Sequence, residues 1–411
     1  MKIIDIYNKL ENPIENLENL KKIIKLYVKS KDKEVYLDEL TKKVASEEID
    51  LKERDVFYSM AFNEWKKNII DMSFKRFSNL LKNDKYKKDF SKMREFLEGI
   101  PNVKTKAEVD KIIYSEYKGK DSEITETLKT YYWIKNEDIN WEYVSSQLIS
   151  IKKYRDPNLE HNLYINISNS HIYGMAAKFL EKCIEYELPY CFKIDKTGEK
   201  IDSIIITADS YVIVNYIKIL NEIKRENPEF IVGQKNQSIL VGRLASWLGY
   251  GEAPKNPLGE NPFYSIRVEH LYTSINNVIN SWIKNNKNNN EFRNEIINAI
   301  IDKIRENSNY LPKLELLEES ELTEVFEEVL EELLDEYCKD CQNGIDINNL
   351  DNGDAISITK EDLSFCIKNI SIKFLEDDEK FIENIKQEII RTCKKYDIDS
   401  NKYCFNISET R

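Results

Sequence analysis

The stretch NLYINISNSHIYGMAAKFLEKCIEYELPYCFKID, Asn162 to Asp195, decides the fold class. Its first six or so residues after Asn162, Leu163 to Ser168, alternate with the period of a half-buried strand. Ile172, Met175, Ala176, Phe179, Leu180, Cys183 and Ile184 then recur at the i, i+3, i+4, i+7 spacing of one buried helix face. A second short strand follows from Leu188 to Asp195, and its single lysine, Lys193, stands between Phe192 and Ile194. Strand, helix and strand in so short a span predict an α+β fold, a mixed sheet packed by helices.

Downstream, Ile201 to Thr207 is a continuous apolar run and reads as a third strand. Asp209 or Ser210 is placed to cap a helix running to about Arg225, which Pro228 stops. Beyond Arg243, Gly249, Gly251 and Gly259 crowd together with Pro254, Pro257 and Pro262, which predicts an irregular loop suited to an active site. Upstream, Tyr131 to Ile134 and Trp141 to Val144 are aromatic and β-branched, and are expected as strands where the mixed domain begins.

The flanks have a different texture. Residues 1–120 read as a helical N-terminal part, with Leu20, Ile23, Ile24 and Tyr27 on one stripe and Phe57, Met60, Ala61, Trp65, Ile69 and Met72 on another. Residues 285–380 read as an acidic helical insertion, in which Leu322, Val325, Phe326, Val329, Leu330, Leu333 and Leu334 keep a buried stripe under a solvated acidic face. The α+β domain is therefore expected over 121–284 and 381–411, closing with a helix through Ile382, Ile385 and Ile389.

Composition narrows the function classes. The 411 residues exceed a typical single domain, and with 41% hydrophobic and 33% charged residues a packed core is expected. A net charge of -12 argues against a general nucleic-acid binder. No apolar run approaches a membrane span and the first residues lack a signal-peptide core, so a cytoplasmic protein with no membrane partner is expected. Seven cysteines, an odd and scattered set, fit reduced thiols. Cys338 and Cys341 form a C-x-x-C without a second ligand pair, and only His161, His171 and His270 are available, so no metal site is expected.

Four pieces occur in an order that resembles the HopA family of type III effectors, whose bacterial relatives also occur in peptide natural-product pathways. They are the strand around Tyr164, the strand Pro189-Tyr190-Cys191-Phe192-Lys193-Ile194, the Lys200-x-Asp202 strand start, and Leu244 to Pro254 followed by Phe263-x-x-x-Arg267. The tail Ile398 to Asn406 is similar to that family's ending, and the match covers about half the chain.

The resemblance implies a fold related to phosphothreonine lyases and β-elimination of phosphate from phosphoserine or phosphothreonine in a peptide, without metal or organic cofactor. Lys193 matches the base position and Arg267 the phosphate-holding arginine; Lys200 stands where relatives often have arginine, and Arg243 is a further candidate phosphate ligand. The position of the lyases' catalytic histidine falls on Tyr164, and that of a lysine two residues earlier on Asn162. The general acid is thus Tyr164, or His171 or His161 reaching the site. Physically, a lysine base needs burial or nearby positive charge, and the departing phosphate needs cations and a proton donor. The implied partners are a phosphorylated peptide or protein and a separate kinase, since the chain has no Gly-rich phosphate loop of its own. The alternative is a noncatalytic effector or phosphopeptide-binding protein in which Lys193 snorkels, Tyr164 is a core aromatic and Arg267 pairs with Glu269.

Overall fold

The computed structural model describes residues 3–42, 48–64, 134–135, 141–145, 161–232, 237–253, 262–306, 345–347, 356–358, 360–373 and 379–407. The chain forms two compact units, the first made of Met1–Glu11, Thr41–Phe263 and Cys404–Arg411, the second of Asn12–Leu40 and Tyr264–Tyr403. The described helices are α1 (Ile3–Lys9), α2 (Leu17–Lys29), α3 (Lys33–Thr41), α4 (51–64), α5 (Ile172–Glu185), α6 (Ile213–Glu226), α7 (Pro262–Asn286), α8 (Asn290–Glu306), α9 (Lys360–Lys373) and α10 (Glu379–Thr392). The strands are β1 (Ile134–Lys135), β2 (Trp141–Ser145), β3 (His161–Ile165), β4 (Cys191–Asp195), β5 (Ile204–Ala208), β6 (Gly242–Arg243), β7 (Leu248–Glu252), β8 (Ile345–Ile347) and β9 (Ile356–Ile358).

The first unit is α+β, built on a seven-stranded sheet in the order β1-β2-β4-β5-β3-β7-β6. The sheet is not mixed as expected, because every described ladder in it is antiparallel. The reason lies in one strand. Helix α5 carries the chain from β3 across to β4, a crossover that would ordinarily make the two strands parallel neighbours. Instead β5 folds back from β4 and inserts between them, antiparallel to both.

The β4–β5 turn explains why the strands are shorter than their apolar runs. Asp195 Oδ1 accepts from Thr197 N and Oγ1, at 2.9 and 2.7 Å, and its Oδ2 accepts from Lys200 N at 2.8 Å. Gly198 takes φ +71°, which favours glycine, with its carbonyl accepting from Asn169 Nδ2. Pro189 offers no N–H to a ladder, so β4 begins at Cys191. Asp209 acts as expected, its Oδ1 accepting from Tyr211 N and Val212 N just before α6.

Alternation assigns the faces. Phe192, Ile194, Ile204, Ile206, Leu163 and Ile165 are buried on one face, where Phe179 of α5 meets Phe192 and Tyr216 of α6, and Phe57 of α4 meets Phe192. On that face Glu142 of β2 accepts from the hydroxyls of Tyr58 and Tyr173, which fixes α4 and α5 to the sheet.

Among the described residues, the stretch read as a loop after Arg243 contains a strand: β7 pairs with β3 along its whole length, and β6 pairs with β7. Its glycines answer to close packing rather than to turns. A Cβ on Gly251 would lie 2.3 Å from Phe263 Cε2, and one on Gly249 would lie 2.5 Å from Val241 Cγ2. Gly251→Ala is therefore expected to cost about 1–3 kcal/mol, measurable as a lower urea midpoint, because Phe263 must leave the strand; an unchanged midpoint would show that the ring gives way freely. Residues 254–261, with Pro254, Pro257 and Gly259, lie outside the described residues.

The second unit is mainly helical. Ile275, Ile279 and Ile283 of α7, Ile296 of α8, Ile367 of α9 and Ile385 and Ile389 of α10 are buried. The hairpin β8–β9 falls in the stretch read as an acidic helical insertion. The stripe Leu322 to Leu334 and the pair Cys338 and Cys341 lie outside the described residues. Lys368 of α9 is buried, its Nζ 3.4 Å from the Tyr27 ring centroid and 5.1 Å from that of Tyr272, and it donates to Ser30 O at 3.1 Å. Among the described residues no helix is long and apolar enough to cross a membrane.

Candidate active site

The sheet face turned away from α5 is polar. Lys193 pairs in register with Tyr143 and Ile205; Ile205 pairs with Tyr164; Tyr164 pairs with Gly249; and Gly249 pairs with Arg243. Directly opposed residues of an antiparallel ladder share a face, so Lys193, Tyr164 and Arg243 stand in one row across the sheet. At a strand spacing of about 4.8 Å, the backbones of Lys193 and Tyr164 are about 10 Å apart with Ile205 between them. Lys193 is 5% exposed and Tyr164 is buried, whereas Arg243, on the outermost strand, is exposed.

The row is held by aromatic neighbours. Lys193 Nζ lies 4.4 Å from the centroid of the Trp141 ring, a contact that fixes the end of a long side chain. The Tyr164 ring packs against Phe263 at 5.1 Å between centroids, in the space that Gly251 leaves. One step along the strands, Asn162 pairs with Thr207 and Gly251 on the same face. Thr207 Oγ1 donates to Asn162 Oδ1 at 2.9 Å, and the amide nitrogen Nδ2, wholly buried, has no hydrogen-bond partner among the described residues.

The other expected residues fall elsewhere. His171 ends a short 3-10 turn at the start of α5, partly exposed, with its ring 5.4 Å from Phe230 and its Nδ1 3.7 Å from Glu53 Oε1. It belongs to the helical layer, on the side of the sheet away from Lys193 and Tyr164. His161 also projects from the other face; its Nδ1 is 2.7 Å from Tyr250 Oη, which donates to Glu252 Oε1 at 3.2 Å. Lys200 lies within the β4–β5 turn, in a backbone bridge with Lys42.

Arg267 lies in α7 within the second unit and is fully buried there. Its Nε donates to Tyr403 O at 2.9 Å, and Tyr403 Oη donates back to Arg267 O at 3.2 Å. His270, one turn along, meets Tyr403 Oη through Nδ1 at 2.9 Å and Thr392 Oγ1 through Nε2 at 2.8 Å. Burial, aided by the Arg267 charge, pushes His270 down to about 4.

Sequence patterns did not single out Trp141 or Thr207 for this face. Their signal is positional: Thr207 is two residues from Ile205 and Trp141 two residues from Tyr143, the partners of the central row. No protein-family model matches the chain, and a search of curated proteins finds no significant relative.

Proposed function

We propose that the polar sheet face carries a phosphoserine or phosphothreonine lyase of the HopA-like kind, acting on a phosphorylated peptide or protein supplied by a separate kinase in the cytoplasm. One observation supports this reading above others: a buried lysine and a buried tyrosine in a single row, on the same face, separated by one strand. That is the arrangement an elimination needs, a base at Cα and an acid at the departing oxygen.

In the reaction, the neutral amine of Lys193 takes the Cα proton of the phosphorylated residue. The electron pair of the broken C–H bond becomes the Cα=Cβ double bond, and the Cβ–O bond breaks with its electrons leaving on phosphate. Tyr164 gives its phenolic proton to that oxygen, so hydrogen phosphate departs and a dehydroamino acid remains. Lysine ends protonated and tyrosine ionised, and solvent restores both. Arg243, exposed at the end of the row, is the cation of that row available to the phosphate.

Incubation of the protein with phosphoserine and phosphothreonine peptides is expected to yield a mass loss of phosphoric acid, with the product trapped by a thiol. Tyr164→Phe is expected to lower turnover by about 10- to 100-fold with little change in affinity, since a neighbouring donor or water then protonates the leaving group less well. Absence of elimination by the wild type over a broad phosphopeptide set would move the assignment to a noncatalytic binding protein. The engagement of Arg267 by Tyr403 is the observation that favours this second reading.

A further inference from the structure

We infer that Lys368 makes the docking of α9 responsive to pH: a proton taken up at its amine loosens the hold of α9 on α2, α3 and α7, and loss of that proton tightens it. All the residues involved belong to the second unit, so the device owes nothing to the chemistry of the sheet face. The socket is aromatic. The ring centroids of Tyr27, Tyr36 and Tyr272 stand 5.0 to 6.1 Å apart, and the Lys368 ammonium lies over the rings of Tyr27 and Tyr272. Tyr27 Oη donates to Asn276 Oδ1 and Tyr36 Oη to Ile23 O, which fixes two of the rings. Ser30 O, at the C-terminal end of α2, accepts from Lys368 Nζ. Among the described residues Lys368 has no salt bridge. Asp32, exposed just before α3, acts on it from a distance while its Oδ1 accepts from Val35 N. The other charged groups of these elements are turned outward: Lys33 pairs with Glu269, and Lys373 with Glu295, at the surface.

A docked lysine and a released one differ in hydration. Two rings and one carbonyl replace the water that an ammonium holds in solution, and they replace it incompletely. Burial therefore pushes the docked amine down to about 7, against Asp32, whereas a released lysine regains its ordinary value of 10.5. Between those two values the released helix binds a proton that the docked helix does not, so docking weakens as pH falls and levels off below about 7. Burial holds the phenols of Tyr36 and Tyr272 above their ordinary range, so they stay neutral throughout. Release has a defined consequence. Ile367, Ile370 and Ile372 of α9 are buried beside Lys368, and Asn369, Ile370, Ile372 and Lys373 help line a cavity of about 360 Å³ shared with α2 and α8. Undocking α9 bares that apolar surface and dismantles the cavity. A methionine would fill the same length without the cost of burying a charge, so the lysine trades stability for a response to pH.

Hydrogen exchange of the full chain, followed by mass spectrometry and corrected for the intrinsic pH dependence of exchange, tests this on the amides of α9 with those of α10 as the reference. In the wild type the opening equilibrium of α9 is expected to rise about tenfold for each pH unit lowered from about 9 toward 7, and to level off below that, while α10 keeps its protection. Lys368→Met is expected to abolish this pH dependence. Asp32→Asn keeps an acceptor for Val35 N and removes the charge that favours the ammonium, so it is expected to move the levelling-off to lower pH; it decides the matter if Lys368→Met does not fold. Opening of α9 that does not vary with pH in the wild type, or the same slope in Lys368→Met, would overturn the inference. Loss of protection in α9 and α10 together would also overturn it, since the proton would then act on unfolding of the whole unit rather than on the release of one helix.

Discussion

Lys193→Arg is expected to lower phosphate elimination by about 100- to 10,000-fold while phosphopeptide affinity survives. Arginine keeps the positive charge and a comparable reach, yet its guanidinium does not give up a proton near neutral pH, so the substitution separates charge from proton transfer. Contact with the Trp141 ring is expected to persist, since a guanidinium stacks on an indole at least as well as an ammonium does. Binding measured by calorimetry and turnover measured by thiol trapping then part company. Undiminished turnover in Lys193→Arg would reject Lys193 as the base, and equal losses of binding and turnover would make it a phosphate anchor.

The second large effect is on stability and belongs to Lys368. Burial pushes its ammonium down to about 7 from an ordinary value of 10.5, with Asp32 working the other way. The sign follows from comparing proton uptake. Between about pH 10 and 7 the unfolded chain binds a proton at this lysine and the folded chain does not, so stability falls as pH drops through that window and levels off below 7. Charging the buried lysine therefore costs the folded state several kcal/mol. Lys368→Met removes it but also removes the bond to Ser30 O and the contacts with Tyr27 and Tyr272, so a net gain of about 2 kcal/mol is expected at pH 7. The gain should vanish toward pH 10 and reverse there. Urea unfolding of wild type and variant across pH 6 to 10 measures it, and a difference between them that does not change with pH would contradict the assignment.

Much of the sheet unit was legible because its signals are local. The stripe from Ile172 to Ile184 marks α5 almost to the residue, and the run Ile204-Ile205-Ile206 marks a strand buried on both faces. What was not legible is pairing order. Nothing in the period of β3, β4 or β5 says that β5 lies between the other two, so the crossover suggested parallel neighbours that the sheet does not have. Gly249 and Gly251 misled for a related reason, since a glycine that admits Val241 or Phe263 looks the same in sequence as one that turns a loop. The site was half legible. Lys193 and Tyr164 could be singled out, but their shared row depends on register through Ile205, and the bond from Arg267 to Tyr403 joins residues 136 apart. Contacts of that separation leave no periodic trace.

The sheet unit ends where the chain returns to it. Glu252 N donates to Cys404 O at 2.9 Å, Asn406 N to Glu252 Oε2 at 2.9 Å, and Asn406 Nδ2 to Ala253 O at 2.6 Å, while a Cβ on Gly242 would meet Cys404 Sγ at 2.7 Å. Those partners of β6 and β7 are the last residues of their unit to be synthesised, after the whole of Tyr264–Tyr403. On the ribosome, β7 can zip onto β3 and β6 early, but its Glu252 end waits through the translation of some 140 further residues, roughly 7 to 30 seconds at ordinary elongation rates. During that interval the nascent chain carries an unfinished sheet margin, the kind of surface on which chaperones act and on which neighbouring chains on the same messenger can pair.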